Sequence, residues 1–247
     1  MEKKLTAIVT GANAGLGFAI AKKLCDKGII TYVNGRNEEK TNKACEQLGS
    51  NAKPFILDLN NLEEIPASIE GIAKEAGSID ILVNNAGINM KKELLDVTDE
   101  EFQSIIHTNV TSVFVMTREV SKYMKAQNGG SIINISSMAA HYGIPKVIAY
   151  SASKTAVEGM TRAMAVDLAQ FSIRVNCIAP GFIKTNMSSK ALDSEPERKN
   201  KVLSRTPMGR LGEPSDIADA VYYYASNESK FTTGTVLPID GGNSIGF

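Results

Sequence analysis

The stretch Leu5-Thr-Ala-Ile-Val-Thr-Gly-Ala-Asn-Ala-Gly-Leu-Gly17 decides the fold. Residues 5–10 form a short apolar run of strand length, a glycine-rich turn follows, and residues 18–27 then carry a helical pattern. Strand, glycine turn and helix in that order make the first half of a dinucleotide-binding unit. Glycines let the backbone pass close to a pyrophosphate with no Cβ atoms in the way. The helix N-terminus adds unpaired N–H groups and a partial positive charge. The spacing Gly11, Gly15, Gly17 departs from the usual Gly-x-Gly-x-x-Gly, so a plain glycine turn also fits the string.

Outward from this stretch, strand and helix patterns alternate to the end of the chain. Strands are expected at residues 29–34, 53–59, 79–83, 130–135, 173–179 and 235–240. Helices are expected at 38–48, 62–76, 99–126, 150–171 and 213–226. The alternation predicts an α/β fold: a single Rossmann domain over residues 1–247, with a doubly wound seven-stranded parallel sheet and helices on both faces. Residues 186–210 are polar, charged and broken by Pro196 and Pro207. A long irregular stretch at the carboxyl end of a strand is expected to act as a substrate lid.

The strand ends carry the informative side chains. After the second strand, an acidic residue would bind the ribose 2′-hydroxyl of NAD, but this chain has Gly35 and then Arg36. A guanidinium suits a 2′-phosphate, which favours NADP(H) over NAD(H), while an Arg36 that simply sits in solvent remains the plain alternative. Asp58 is expected at the carboxyl end of the third strand. The fourth strand ends in Asn84-Asn-Ala-Gly87, whose amides either tie neighbouring strands or line a ligand channel. Asn109 falls inside the long helical pattern, where an amide costs propensity and most such residues face solvent.

Composition removes several function classes. The 247 residues are 43% hydrophobic, enough for a full core, and 27 basic side chains balance 27 acidic ones without long blocks of either sign. Neither nucleic acid nor an anionic membrane is an expected partner. No apolar run reaches membrane-spanning length, and the charged start runs directly into a strand pattern, so neither a membrane span nor a signal peptide is expected. Cys25, Cys45 and Cys177 lack metal spacing and read as reduced thiols of a cytoplasmic protein. With His107 and His141 the only histidines, no metal site is expected, although His141 is placed to line a pocket.

Chemistry concentrates in Ser136-Ser-Met-Ala-Ala-His-Tyr-Gly-Ile-Pro-Lys-Val-Ile-Ala-Tyr-Ser-Ala-Ser-Lys154. Tyr150 and Lys154 are four apart at the start of a helical pattern and so share a face. A phenol near neutral pH gives a proton readily but hardly takes one. An ammonium about 5 Å away favours the phenolate by roughly 3 kcal/mol at an effective dielectric of 20, which makes proton transfer possible in both directions. Ser137, at the end of the preceding strand, is placed to hydrogen-bond the same substrate oxygen. The three cooperate if a carbonyl and its alcohol are interconverted, whereas a Tyr/Lys pair merely covering a helix surface is the bland alternative.

Together these motifs resemble the short-chain dehydrogenase/reductase family along essentially the whole chain. The likeness rests on Thr10-Gly-x-x-x-Gly-x-Gly17, Asp58, Asn84-Asn-Ala-Gly87, Asn109, Ser137, Tyr150-x-x-x-Lys154, and Pro180-Gly181 followed by Thr185. The resemblance implies that Tyr150 is the acid or base, that Lys154 binds the nicotinamide ribose and acidifies the phenol, that Ser137 orients the carbonyl and that Asn109 holds a water in a proton relay. It also implies a cofactor site comprising Gly11, Asn13, Gly15, Leu16, Gly17, Arg36, Asp58, Leu59, Asn85, Ala86, Gly87, Pro180, Gly181, Ile183 and Thr185, together with Tyr150 and Lys154. A homotetramer formed through helices 99–126 and 150–171 is a further implication.

For the substrate, Asn85-Ala-Gly-Ile-Asn-Met90, residues 205–214 and Asp240-Gly-Gly242 are similar to members acting on sugar acids, such as gluconate 5-dehydrogenases and keto-deoxy-uronate reductases. A 3-oxoacyl carrier-protein reductase is the alternative. Asn128 and Phe171 stand where such reductases carry arginines for the acidic carrier, although Arg118, Lys122 and Lys125 offer another basic face. Steroid or bile-acid oxidoreduction is a third enzyme reading, and a nucleotide-sensing scaffold is the non-enzymatic one.

Overall fold

The computed structural model describes residues 4–185 and 196–246. Seven strands form one parallel sheet in the order β3-β2-β1-β4-β5-β6-β7. They are β1 Thr6–Val9, β2 Ile30–Gly35, β3 Ala52–Ile56, β4 Ile81–Asn84, β5 Gly130–Ile135, β6 Ile173–Pro180 and β7 Val236–Ile239. The helices are α1 Gly15–Asp26, α2 Glu38–Leu48, α3 Ile65–Ala76, α4 Asp99–Ile106, α5 Ser112–Ala126, α6 Ile148–Ala169, α7 Pro196–Ser204 and α8 Pro214–Ala225.

Successive strand residues face opposite sides of the sheet, and both sides are apolar. Ala7, Val9, Val33, Val83 and Ile133 pack with Ile20 and Leu24 of α1 and Val221 of α8. Ile8, Leu82, Ile132 and Val175 pack on the other side with Ile65 and Ile69 of α3 and Met116 and Val120 of α5. Pairing Val9 with both Val33 and Val83 sets the register that keeps each row on one side. Strand order reverses between β1 and β4, so the turns leaving these two strands diverge and open a crevice at their carboxyl ends.

Five expectations need correction. Helical hydrogen bonding starts at Gly15 rather than Phe18, because the Phe18 N–H already donates to the Ala14 carbonyl at 3.2 Å. Strand β3 stops at Ile56, and Asp58 and Leu59 lie beyond it. There the Asp58 carboxylate accepts from the Asn60 N–H at 3.0 Å and turns the chain. Ser137 likewise lies past the end of β5 and caps the short 3₁₀ turn Met138–Ala140. The continuous helix expected over 99–126 is interrupted by a π-helical segment, His107–Thr111, across which the Ser112 N–H bonds the His107 carbonyl. Of the expected lid, residues 186–195 lie outside the described residues, and residues 196–204 form α7 instead of irregular chain.

No helix among the described residues is long and apolar enough to cross a membrane.

Candidate active site

The glycine turn is built by close approach. Gly11 has φ of +60°, and a Cβ on it would lie 3.0 Å from Ala86 Cα. A Cβ on Gly17 would collide with the Gly11 carbonyl oxygen and stand 2.6 Å from Asn85 Nδ2. Thr10 and Asn85 lock this turn to the end of β4. Thr10 Oγ1 accepts from the N–H groups of Asn85 and Ala86, both at 2.9 Å, while Asn85 Nδ2 donates to the carbonyls of Thr10 at 2.9 Å and Gly11 at 3.2 Å. Asn84 is wholly structural: its Nδ2 donates to Thr117 Oγ1 and Asn134 Oδ1 in the core. The two amides therefore divide the roles left open by the sequence, with Asn85 both tying the turn and lining the cleft.

At the far end of the turn, Asn13 Nδ2 donates to Thr41 Oγ1 at 3.3 Å. A Cβ on Gly35 would meet both groups, so α2 and the glycine turn close together over the end of β2. Arg36, its side chain 76% exposed, stands 3.9 Å from the Asp58 carboxylate. Leu59 turns inward and packs in the core beside Leu57 and Ile65, so its side chain is no part of the crevice wall.

A cleft of 550 Å³ continues from the turn past the ends of β4, β5 and β6. Leu16, Asn85 and Gly87 line one end; Ser137, Tyr150 and Lys154 line its floor. Pro180, Gly181, Ile183 and Thr185 close the opposite side. Asp240 backs Gly181 so closely that a Cβ there would fall 2.7 Å from Asp240 Cβ. A larger cavity of 1150 Å³ at the amino ends of the strands, lined by Asp80, Gln127, Arg174 and Phe231, holds none of the candidate residues.

Helix α6 starts two residues before Tyr150, so Tyr150 and Lys154 occupy its first two turns on one face. Lys154 is only 5% exposed; its Nζ donates to the Ile135 carbonyl at 2.8 Å and lies 5.6 Å from the centre of the Tyr150 ring. Ser137 Oγ accepts from the Ala139 N–H at 3.1 Å, which leaves its own proton to be given.

Asn109 is fully buried, contrary to the surface position usual for a helical amide. Its Oδ1 accepts from the Ile88 N–H at 2.8 Å, and its Nδ2 donates to the Ile88 carbonyl at 2.9 Å and to Ser153 Oγ at 3.0 Å. Ser153 in turn donates to the Tyr150 carbonyl at 2.7 Å. The π segment thus joins the chain after Gly87 to the first turn of α6. Thr10, Ile88 and Ser153 are the site residues that sequence reasoning passed over. Of these, only Thr10 carried a visible signal, at the head of the glycine string.

The thiols take no part. All three are buried, and burial pushes Cys45 up to about 11 and Cys177 up to about 12.

A dinucleotide fits this crevice. The N-terminus of α1 has no side-chain cap and no acidic residue in its first turn, whereas α2 is capped by Asn37 and α4 by Thr98. Gly15, at φ +56°, has open space where a Cβ would be, so the uncapped N–H groups face outward over bare backbone.

The family model described as enoyl-(acyl carrier protein) reductase matches residues 11–244. The chain belongs to the short-chain dehydrogenase/reductase family. This dehydrogenase/reductase is 40% identical to a 3alpha-hydroxysteroid dehydrogenase of Mediterraneibacter gnavus, over 98% of this chain and 97% of the relative. It is 39% identical to a 3-oxoacyl-[acyl-carrier-protein] reductase of Vibrio harveyi, over 98% of each. Among solved structures, a gluconate 5-dehydrogenase from Burkholderia cenocepacia in complex with NADP and tartrate superposes with a TM-score of 0.94 at 31% identity, covering 98% of this chain and 96% of that one. An NAD+-bound xylitol dehydrogenase superposes at 0.92 and 30% identity, covering 98% and 100%. As a family member, the chain is an oxidoreductase acting between alcohol and ketone, and it binds NAD(P).

Proposed function

We propose that the protein interconverts a ketone and its secondary alcohol with NADP(H), Tyr150 being the proton donor in reduction and the base in oxidation. The observation that carries this reading is the buried Lys154 ammonium, fixed by the Ile135 carbonyl beneath the Tyr150 ring and open to the same cleft as Ser137. When bound, the nicotinamide supplies or accepts the hydride. Tyr150 gives its proton to the carbonyl oxygen as negative charge develops there, while the Ser137 hydroxyl donates to the same oxygen and fixes its position. Lys154 offsets the charge left on the phenol and offers its remaining donors to a ribose. Asn109 would hold a water in the proton relay, its amide being fixed by Ile88 and Ser153.

The glycine turn and the first turn of α1 would hold the pyrophosphate, and Asp58 would meet the adenine. Arg36 carries the NADP(H) preference: its weak, exposed contact with Asp58 leaves the guanidinium free to swing onto a 2′-phosphate.

For the substrate, the cleft wall beyond Tyr150 consists of Ile88, Ala139, Ile144, Val147 and Phe182, with Asn89 at its edge. Among the described residues that line it, Lys154 is the one cation, and it is already committed. With no second cation among the described lining residues to pair with the carboxylate of a sugar acid, this mainly apolar wall favours a ketone with an apolar body, such as an oxosteroid. The basic face that the carrier-protein reading would use is partly neutralised: the half-exposed Arg118 and Lys122 share the buried Glu119, and Lys125 lies 4.3 Å over the Phe171 ring. The deciding experiment follows NADPH consumption with a 3-oxosteroid, a 5-keto sugar acid and an acetoacetyl thioester. The steroid is expected to have the highest kcat/KM, and a faster sugar acid overturns the substrate assignment. Failure of all three to oxidise NADPH while NADPH still binds would favour the sensor reading.

The exposed Phe114 on α5 and Val166 on α6, the latter 78% exposed, support assembly of four copies through these helices. Light scattering on the purified protein tests the tetramer.

A further inference from the structure

We propose that Glu158 is a positioning residue for Ser137. It continues the face of α6 that carries Tyr150 and Lys154, one helical turn further along. It is only 7% exposed, yet neither the Tyr150–Lys154 pair nor the core accounts for a carboxylate there. Its Oε1 accepts from Ser136 Oγ at 2.7 Å and from His141 Nε2 at 2.9 Å. An ionised carboxylate only accepts, so both partners must donate to it. These partners bracket the Ser137 turn, one residue before it and four after.

Between the two anchors the chain has little freedom. The Ser136 N–H is held by the Ile178 carbonyl at 2.8 Å, and its hydroxyl also reaches the Lys154 carbonyl at 3.2 Å. The Ala140 N–H bonds the Ser137 carbonyl at 2.9 Å, and the His141 N–H bonds the Met138 carbonyl at 3.0 Å. The 3₁₀ turn is therefore a short rigid hoop, and Glu158 closes it against α6. One helix then sets all three groups around the reacting oxygen: two through its own side chains and the third through the Glu158 clamp. A buried network of this kind fixes geometry when every member is satisfied.

This inference rests on the assignment of Ser137 as the group that orients the carbonyl. The test is a double-mutant cycle on the full chain, reading the single-turnover rate with NADPH and the fastest ketone of the panel above, alongside NADPH affinity by fluorescence. Glu158→Leu is expected to slow turnover at least tenfold with NADPH affinity within twofold, and Glu158→Gln, which keeps an accepting oxygen, to recover most of the rate. In a Ser137→Ala background, Glu158→Leu should cost less than a further twofold. Should burial make Glu158→Leu fold poorly, His141→Ala at the surface removes one arm of the clamp and is expected to slow turnover about threefold, again only when Ser137 is present. A Ser137→Ala variant as fast as the parent overturns the reading of Ser137 and this inference with it. A slow Ser137→Ala in which Glu158→Leu or His141→Ala still costs its full factor, or a Glu158→Leu that leaves the parent rate unchanged, overturns the Glu158 assignment alone.

Discussion

The two ends of the crevice hold their cations in opposite ways. At the end beyond β2, Arg36 is 76% exposed and stands 3.9 Å from the Asp58 carboxylate. At the other end, Lys154 is 5% exposed and held at 2.8 Å by a backbone carbonyl. A buried ammonium keeps one geometry because any other position leaves it poorly solvated, whereas an exposed guanidinium samples many. The buried end therefore suits a reaction that needs groups held in place, and the exposed end suits recognition of a charge that arrives with the ligand.

If this contrast is right, substitutions should weaken in effect from one end to the other. Tyr150→Phe, which removes only the proton, is expected to lower kcat by about 10² to 10⁴-fold while leaving NADPH affinity and melting temperature nearly unchanged. Stopped-flow absorbance checks the first and a thermal melt the second; retained turnover removes the catalytic role from the buried end. Asn109→Ala removes the three hydrogen bonds of a fully buried amide, two to the Ile88 backbone and one to the buried Ser153, and is expected to cost about 3 kcal/mol of stability, or roughly 10 °C in melting temperature, with a loss of turnover as the first turn of α6 loosens.

At the exposed end, Arg36→Ala should raise KM for NADPH about tenfold and leave KM for NADH within twofold, with kcat unchanged for both. Equal changes for the two cofactors would mean that the guanidinium does not read the 2′-phosphate. Salt gives the smallest effect: raising ionic strength from about 0.05 to 0.5 M should increase KM for NADPH severalfold, since exposed charges are screened, and should leave the single-turnover rate at saturating cofactor unaltered. A turnover rate that follows salt would place a screened charge at the reacting end and blur the contrast.

The same difference explains what was legible in the residues. The parallel sheet follows from short apolar runs alternating with helical patterns, and the structure keeps all seven strands and both apolar faces. Tyr150 and Lys154 were legible because four positions along one helix is a local fact. The glycine turn was visible as a string, but helical bonding reaches back to Gly15, which only the Phe18 to Ala14 hydrogen bond decides. Asn109 shows the limit most plainly. Propensity placed it at the surface in an unbroken helix, yet the π segment turns it inward because Ile88 and Ser153, distant in sequence, need its amide.

Local pattern by itself determined the strand and helix order, the α/β class and the pairing of phenol with ammonium, since each depends on spacing within one element. Tertiary structure alone decided which amides bind strands and which face the cleft, that Leu59 packs in the core, that Glu119 claims Arg118 and Lys122, and that Glu158 closes the Ser137 turn. Each of those outcomes depends on where a buried polar or apolar group finds its partner, and partners brought together from separate elements leave no periodic trace along the chain.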